Sequence, residues 1–132
     1  MAKEEMSSGE GDEQIRGKNG RRLPMEFAEL LTPPMEHALN HPLRREIVRA
    51  LNQSTEPRSA GEIVTGSLPK TGITTISYHA AVLERCDILR IAEVEPAGES
   101  LTRRYVSNVA NDIQIVAILG ATESLDNLGG QP

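Results

Sequence analysis

The sequence predicts a mainly α-helical domain that carries one small β-hairpin. Three observations predict it. Apolar residues recur at helical spacing in four separate stretches between residues 25 and 86. Most of those stretches are preceded by a capping residue or a proline. After Asp87 the pattern changes to short β-branched or apolar-rich runs, with turn residues between them.

Residues 1–20 are rich in Glu, Ser and Gly and contain one large aliphatic residue, Ile15. Such a segment buries too little apolar surface to offset its ordering entropy, so residues 1–22 are expected to be a disordered acidic tail. The folded unit is expected over 23–109. Pro24 suits a first helical turn, and MEFAELL follows it. Thr32 can cap the next helix, with Pro33 at its first position. Asn40 and Pro42 interrupt that helix. In PLRREIVRALNQ, Leu43, Ile47, Ala50 and Leu51 share one face, and Arg44, Arg45, Glu46 and Arg49 are expected around the other. STEPRS is a turn by composition. Ser59 then caps AGEIVTG, with Glu62 three residues on as its capping-box partner. SLPKTG is a further turn.

The next helix, TGITTISYHAAVLERC over 71–86, is the informative one. Ile73, Ile76, Ala80 and Leu83 fall at helical spacing on one face. The opposite face carries Thr74, Ser77, Tyr78, Ala81 and Arg85 instead of the lysines and glutamates of an ordinary solvated helix. ILRIAEVE and LTRRYVSN follow as a hairpin, with Pro96 to Ser100 as a loop of about five residues. ANDIQIVAILGATESLDNL reads as a last helix over 110–128, and 129–132 as a short disordered tail.

Helix, tight turn, longer helix and hairpin in that order make a winged helix-turn-helix. ALNHPLRREIVRAL resembles the opening helix motif of ArsR-type (arsenical-resistance repressor-like) winged-helix regulators, and ISYHAAVLERCDIL resembles their recognition segment. The resemblance covers about residues 35–107. The glycine usual before the final apolar pair is Asp87 in this sequence, and Asp tolerates the left-handed helix end that this position needs. The resemblance implies a dimeric DNA-binding transcriptional regulator, paired through its first and last helices.

The residues allow that function. A helix with small hydroxyls and one phenol can approach base edges closely, and its methyl groups can touch thymine. The candidate DNA contacts are Thr74, Thr75, Ser77, Tyr78, His79, Arg85, Arg103 and Arg104. For several of them a structural role competes. The helix face can be polar surface without a partner. His79 falls at the edge of the buried face and suits either a hydrogen-bonded core position or a phosphate contact. Arg103 and Arg104 lie on opposite faces of their strand, and can meet phosphate or balance Glu93, Glu95 and Glu99. The candidate dimer contacts are Phe27, Leu30, Leu31, Met35, Ile115, Ile118 and Leu119, because the first and last helices carry more apolar surface than one core needs. A two-fold dimer would read a palindromic operator with the helix over 71–86 in the major groove. The alternative is a winged-helix protein–protein interaction module without DNA binding.

Charge argues in both directions. The chain carries −5 overall, with acid concentrated at its ends: residues 37–109 hold nine basic and eight acidic side chains. Screening over about 8–10 Å lets a local basic patch act despite distant acid. A metal site is not expected. His37 and His41 are four apart, but the helix breaks between them, Cys86 is the one cysteine, and a closed zinc site wants about four ligands. Gly9 and Gly11 follow no strand and so make no phosphate loop. No catalytic set and no cofactor motif is present, and no apolar run approaches the ~20 residues of a membrane span. A soluble, cytoplasmic DNA-binding protein, with double-stranded DNA and a second copy as partners, is the expectation.

Overall fold

The computed structural model describes residues 22–129, so residues 1–21 of the acidic tail expected over 1–22, and residues 130–132 of the tail expected over 129–132, lie outside it. The described residues form six helices and a three-stranded antiparallel sheet. The helices are α1 (Met25–Ala28), α2 (Pro33–Leu39), α3 (Pro42–Asn52), α4 (Ala60–Gly66), α5 (Ile73–Arg85) and α6 (Ile113–Gly129). The strands are β1 (Arg58–Ser59), β2 (Leu89–Ala97) and β3 (Ser100–Ser107), in the order β1-β3-β2.

The helix starts are set by local chemistry. Thr32 Oγ1 accepts from the Met35 amide at the start of α2. His41 caps α3, its Nδ1 accepting from the Leu43 amide at 3.1 Å. Ser59 and Glu62 form the expected capping box on α4. Asn40, which with Pro42 separates α2 from α3, uses its side-chain oxygen to hold the Leu23 amide at 2.8 Å.

The end of α5 depends on Asp87. Its φ is +63°, and this left-handed residue lets the Ile88 amide donate to the Leu83 carbonyl and the Asp87 amide to that of Glu84. These two bonds are the Schellman pattern. They reverse the chain so that Ile88 and Leu89 enter the core beside Leu83.

The hairpin is longer and its turn tighter than the sequence suggests. Pairing continues to Pro96↔Leu101 and Ala97↔Ser100, leaving a two-residue turn at Gly98–Glu99. Gly98 takes φ +67° as the first turn residue, which a side chain would oppose. A bulge between Ile91 and Glu93 shifts the register. Arg58 and Ser59, inside the segment read as a turn, add a short edge strand opposite Tyr105 and Arg104.

The core is aliphatic: Leu39, Ile47, Val48, Ile63, Ile76, Leu83, Ile88 and Leu89 are all fully buried. Ile73, placed on the buried face by periodicity, is instead 55% exposed. It opens the helix at the edge of the apolar stripe, where Gly61 on α4 has no side chain to cover it.

The arginines of α3 depart most from expectation. Arg44, Arg45 and Arg49 are buried, and Arg45 retains 1% of its exposure. Arg45 grips Asp126 of α6 with two bonds, Nε to Oδ2 at 2.9 Å and Nη2 to Oδ1 at 2.6 Å. Arg49 Nη2 donates to Asp126 Oδ2 and to Thr122 Oγ1, both at 2.8 Å. Its Nη1 lies 3.3 Å from Glu46, close enough to pair but not aligned for a hydrogen bond. Further donors go to backbone carbonyls. Arg44 Nη1 meets His37 and Arg45 Nη1 meets Leu39, two of the carbonyls that α2 leaves unpaired at its C-terminus. Arg49 Nε meets Leu119. Arg45 and Arg49 are buried with their charge because both are paired with Asp126 and hydrogen-bonded, whereas Arg44 is held by hydrogen bonds to His79 and the His37 carbonyl.

Two outcomes test this arrangement by urea denaturation. Asp126→Ala strands two guanidinium groups and should cost about 3–5 kcal/mol, whereas replacing Arg45, Arg49 and Asp126 together with apolar residues of like volume should be neutral or stabilising. Burial raises the Asp126 carboxyl, but the bonds from Arg45 and Arg49 outweigh it and hold it below the usual range. The Asp126 contribution is thus present above the unfolded carboxyl value of about 3.9 and is lost as pH falls through the lower folded value.

Candidate nucleic-acid interface

Five side chains gather on the outward side of α5. Ile76, Ala80 and Leu83 fix one face in the core. Thr74, Tyr78, Ala81 and Arg85 then follow at spacings of four, three and four along the opposite ridge, with Ser77 beside them. Thr74, Ser77, Tyr78 and Arg85 are exposed and Ala81 is half-buried. Tyr78 retains 59% of its exposure, which is high for the larger of the two ring systems on this helix. Thr75 is exposed as well, displaced toward the side away from the hairpin. Neither Arg85 nor Tyr78 forms a side-chain hydrogen bond or ion pair among the described residues.

The hairpin runs beside this ridge and encloses a cleft of about 470 Å³. Ser59 and Gly61 from the start of α4 close one side, and Ile73, Ser77, Ala81 and Glu84 line the α5 side. The hairpin contributes Ile91, Leu101 and Arg103. Periodicity did not single out Ile73, Ile91 or Leu101 as surface; the large aliphatics on both sides of this cleft become visible only once the hairpin folds against α5.

The two hairpin arginines have different surroundings. Arg103 is exposed, stands opposite Val94, and forms no ion pair among the described residues. Arg104 is held by carboxylates: Nε to Glu62 at 3.1 Å, Nη1 to Glu95, and Glu93 at 3.8 Å. Glu62 serves both its capping box and this ion pair. The Ser59 amide and then Arg104 hold its carboxyl below the usual range.

His79 is on the other side of the helix. It is 7% exposed, and its Nδ1 accepts from Arg44 Nε at 3.2 Å. Its ring lies 4.4 Å from that of His41 and 5.1 Å from that of Tyr78. Both imidazole Nδ1 atoms accept hydrogen bonds, so each neutral ring carries its proton on Nε2. Burial first, then the charge of Arg44, holds His79 below its ordinary value. Burial followed by His79, Arg44 and Arg45 lowers His41 to about 4.

Of the residues proposed for the dimer contact, Ile115, Ile118 and Leu119 are buried in the chain's own core, and Phe27, Leu31 and Met35 pack partly against it. Leu30 is exposed. Among the described side chains of α6, the large apolar ones left open are Ile113, Val116 and Leu125. Cys86 packs against the core at the end of α5. Among the described residues no group of three or more His, Cys, Asp or Glu could hold a metal ion, and no helix is long and apolar enough to cross a membrane.

The histidine pair gives a pH dependence. His41 must stay neutral to cap α3, so its contribution is complete above the unfolded value of about 6.5 and is lost as pH falls toward about 4. Discounted for partial exposure, the loss should be about 1–3 kcal/mol. His41→Asn keeps a capping oxygen without titrating there, and should flatten the pH 7 to pH 4.5 difference in urea melts.

Neither a family model nor a curated protein matches this chain.

Proposed function

We propose that this chain is a DNA-binding transcriptional regulator of the winged helix-turn-helix type, acting as a homodimer with α5 in the major groove. One observation carries the reading. The ridge of Thr74, Tyr78 and Arg85, with Ser77 beside it and the half-buried Ala81 between them, is exposed, and Arg85 has no acidic partner among the described residues. Major-groove readout needs a helix of this kind, narrow in its side chains and supplied with hydroxyls and methyls. The hairpin next to it would supply a phosphate contact from Arg103, and Arg85 a second at the end of the helix. The resemblance of residues 35–107 to ArsR-type regulators supports the same reading.

A dimer fits the surface that α6 leaves open. Ile113 is 86% exposed, with Val116 and Leu125 also open on the same helix, and Met25 and Leu30 are exposed near the chain's start. Exposed apolar surface that forms a contiguous patch usually marks an interface. The proposed contact therefore runs through Ile113, Val116 and Leu125, with Leu30, since Ile115, Ile118 and Leu119 are occupied by the core. Two-fold pairing would set two α5 helices about one DNA turn, roughly 34 Å, apart. Two half-sites bound at once would also offset the weak charge of a single domain.

The second reading, a winged-helix protein-interaction module, is favoured by the carboxylates around Arg104 and by the exposed Ile91, Val94 and Leu101 of the hairpin. Salt separates the two, because displacement of counterions from DNA gives a steep linear dependence of log affinity on log salt.

A duplex selected from a random pool supplies the test. Tyr78→Ala should leave the thermal melt unchanged and weaken specific binding by about 1–3 kcal/mol. Arg103→Ala should weaken all sequences alike and reduce the salt slope by about one phosphate per protomer. Failure of the pool to enrich any sequence would leave the interaction module as the better reading. Ile113→Asp with Leu125→Asp should sediment as a monomer at micromolar concentration where the unaltered chain sediments as a dimer.

A further inference from the structure

The reading face of α5, up to Arg85 at its end, lacks the side chains that recognise purines bidentately. Guanine is read most often by Arg or Lys on its O6 and N7, and adenine by Asn or Gln on its N6 and N7. The helix Ile73–Arg85 contains no Lys, Asn or Gln, and its single Arg is its last residue. Glu84, the other charged residue, lines the cleft toward the hairpin. What the first three turns present outward is Thr74, with its methyl beside its hydroxyl, the Ala81 methyl, and the phenol of Tyr78.

Ile73 adds to this surface. An isoleucine 55% exposed at the first position of a helix loses the burial that its apolar side chain would otherwise gain. Its Cδ1 lies 3.8 Å from where a Cβ on Gly61 would stand, so it rests against α4 at the mouth of the cleft. The outward surface of α5 thus combines aliphatic carbon with single hydroxyls. In the major groove, the one base substituent that matches aliphatic carbon is the C5-methyl of thymine.

We infer that this protein selects its DNA by thymine methyl groups, with Thr74 and Ala81 as the contacting residues, Ile73 extending the apolar surface, and the hydroxyls of Ser77 and Tyr78 accepting or donating at neighbouring base edges. The ligand class is duplex DNA with thymines at the positions under α5, and G·C pairs, which carry no methyl in the major groove, contribute little to selection there. This rests on the reading of α5 as the major-groove helix.

Deoxyuridine tests it, because it differs from thymidine only by the methyl and keeps every hydrogen-bonding group. The probe is the duplex enriched from a random pool, made with thymidine and, strand by strand and then position by position, with deoxyuridine. Each contacted thymine replaced should weaken binding about fourfold, the value of one buried carbon group. The salt slope should stay the same, since the phosphates are unchanged. Thr74→Ser removes the residue's methyl and keeps its hydroxyl. It should bind the thymidine duplex less tightly and no longer distinguish thymidine from deoxyuridine at one position that the unaltered protein distinguishes. Thr74 is exposed and takes no part in capping α5, so the variant folds. Equal binding of the thymidine and deoxyuridine duplexes, with the enriched sequence still preferred over others, overturns the inference and leaves the DNA-binding function standing. Failure to enrich or retain any duplex overturns both.

Discussion

The bidentate grip of Arg45 on Asp126 is the interaction on which the arrangement of the helices depends. It joins α3, near the chain's beginning, to the second half of α6. Arg49 closes it into a three-charge cluster, and Thr122 spends its hydroxyl within the same group, accepting from Arg49 and donating to the Ile118 carbonyl. Such a cluster gives little net stability compared with apolar packing. Its effect is geometric. Asp126 can satisfy two guanidinium groups in one rotation and one register of α6, and a slip along the helix would leave charge buried without a partner. The same arginines also occupy the carbonyl ends of α2 and one carbonyl of α6, so three helices share one polar centre.

That polar centre explains where sequence reading worked and where it did not. Caps are local. Thr32, Ser59 with Glu62, and Asp87 each act on amides or carbonyls within a few residues, and each was readable from the chain. The separation between Arg45 and Asp126 is 81 residues, and nothing in the periodicity of α3 indicates an acid waiting on α6. Arg44, Arg45 and Arg49 therefore looked like a solvated face. His79 was left between two roles for the same reason, since its partner Arg44 stands 35 residues away. The open ridge of α5 was legible, because once Ile76, Ala80 and Leu83 are in the core helical geometry alone decides which residues face outward.

The last helix was legible in its excess of aliphatic residues but not in their allocation. A helix apolar on most sides gives no indication of which stripe its own domain will take. Asp126 and Thr122 decide it. By facing Arg45 and Arg49 they turn Ile115, Ile118 and Leu119 inward and leave Ile113 and Val116 open. The hairpin also takes partners from outside itself, the edge strand β1 and the Glu62–Arg104 link, neither of which is marked in the strands themselves.

The carboxylates around Arg104 make the hairpin electrostatically two-sided. Alternation places Arg103 and Arg104 on opposite faces of one strand. On one face a lone guanidinium is open to solvent. On the other a single positive charge is outnumbered by Glu62, Glu93 and Glu95. An anionic group would be drawn to the first face and repelled from the second, so the hairpin's charge distinguishes its two sides before any close contact forms.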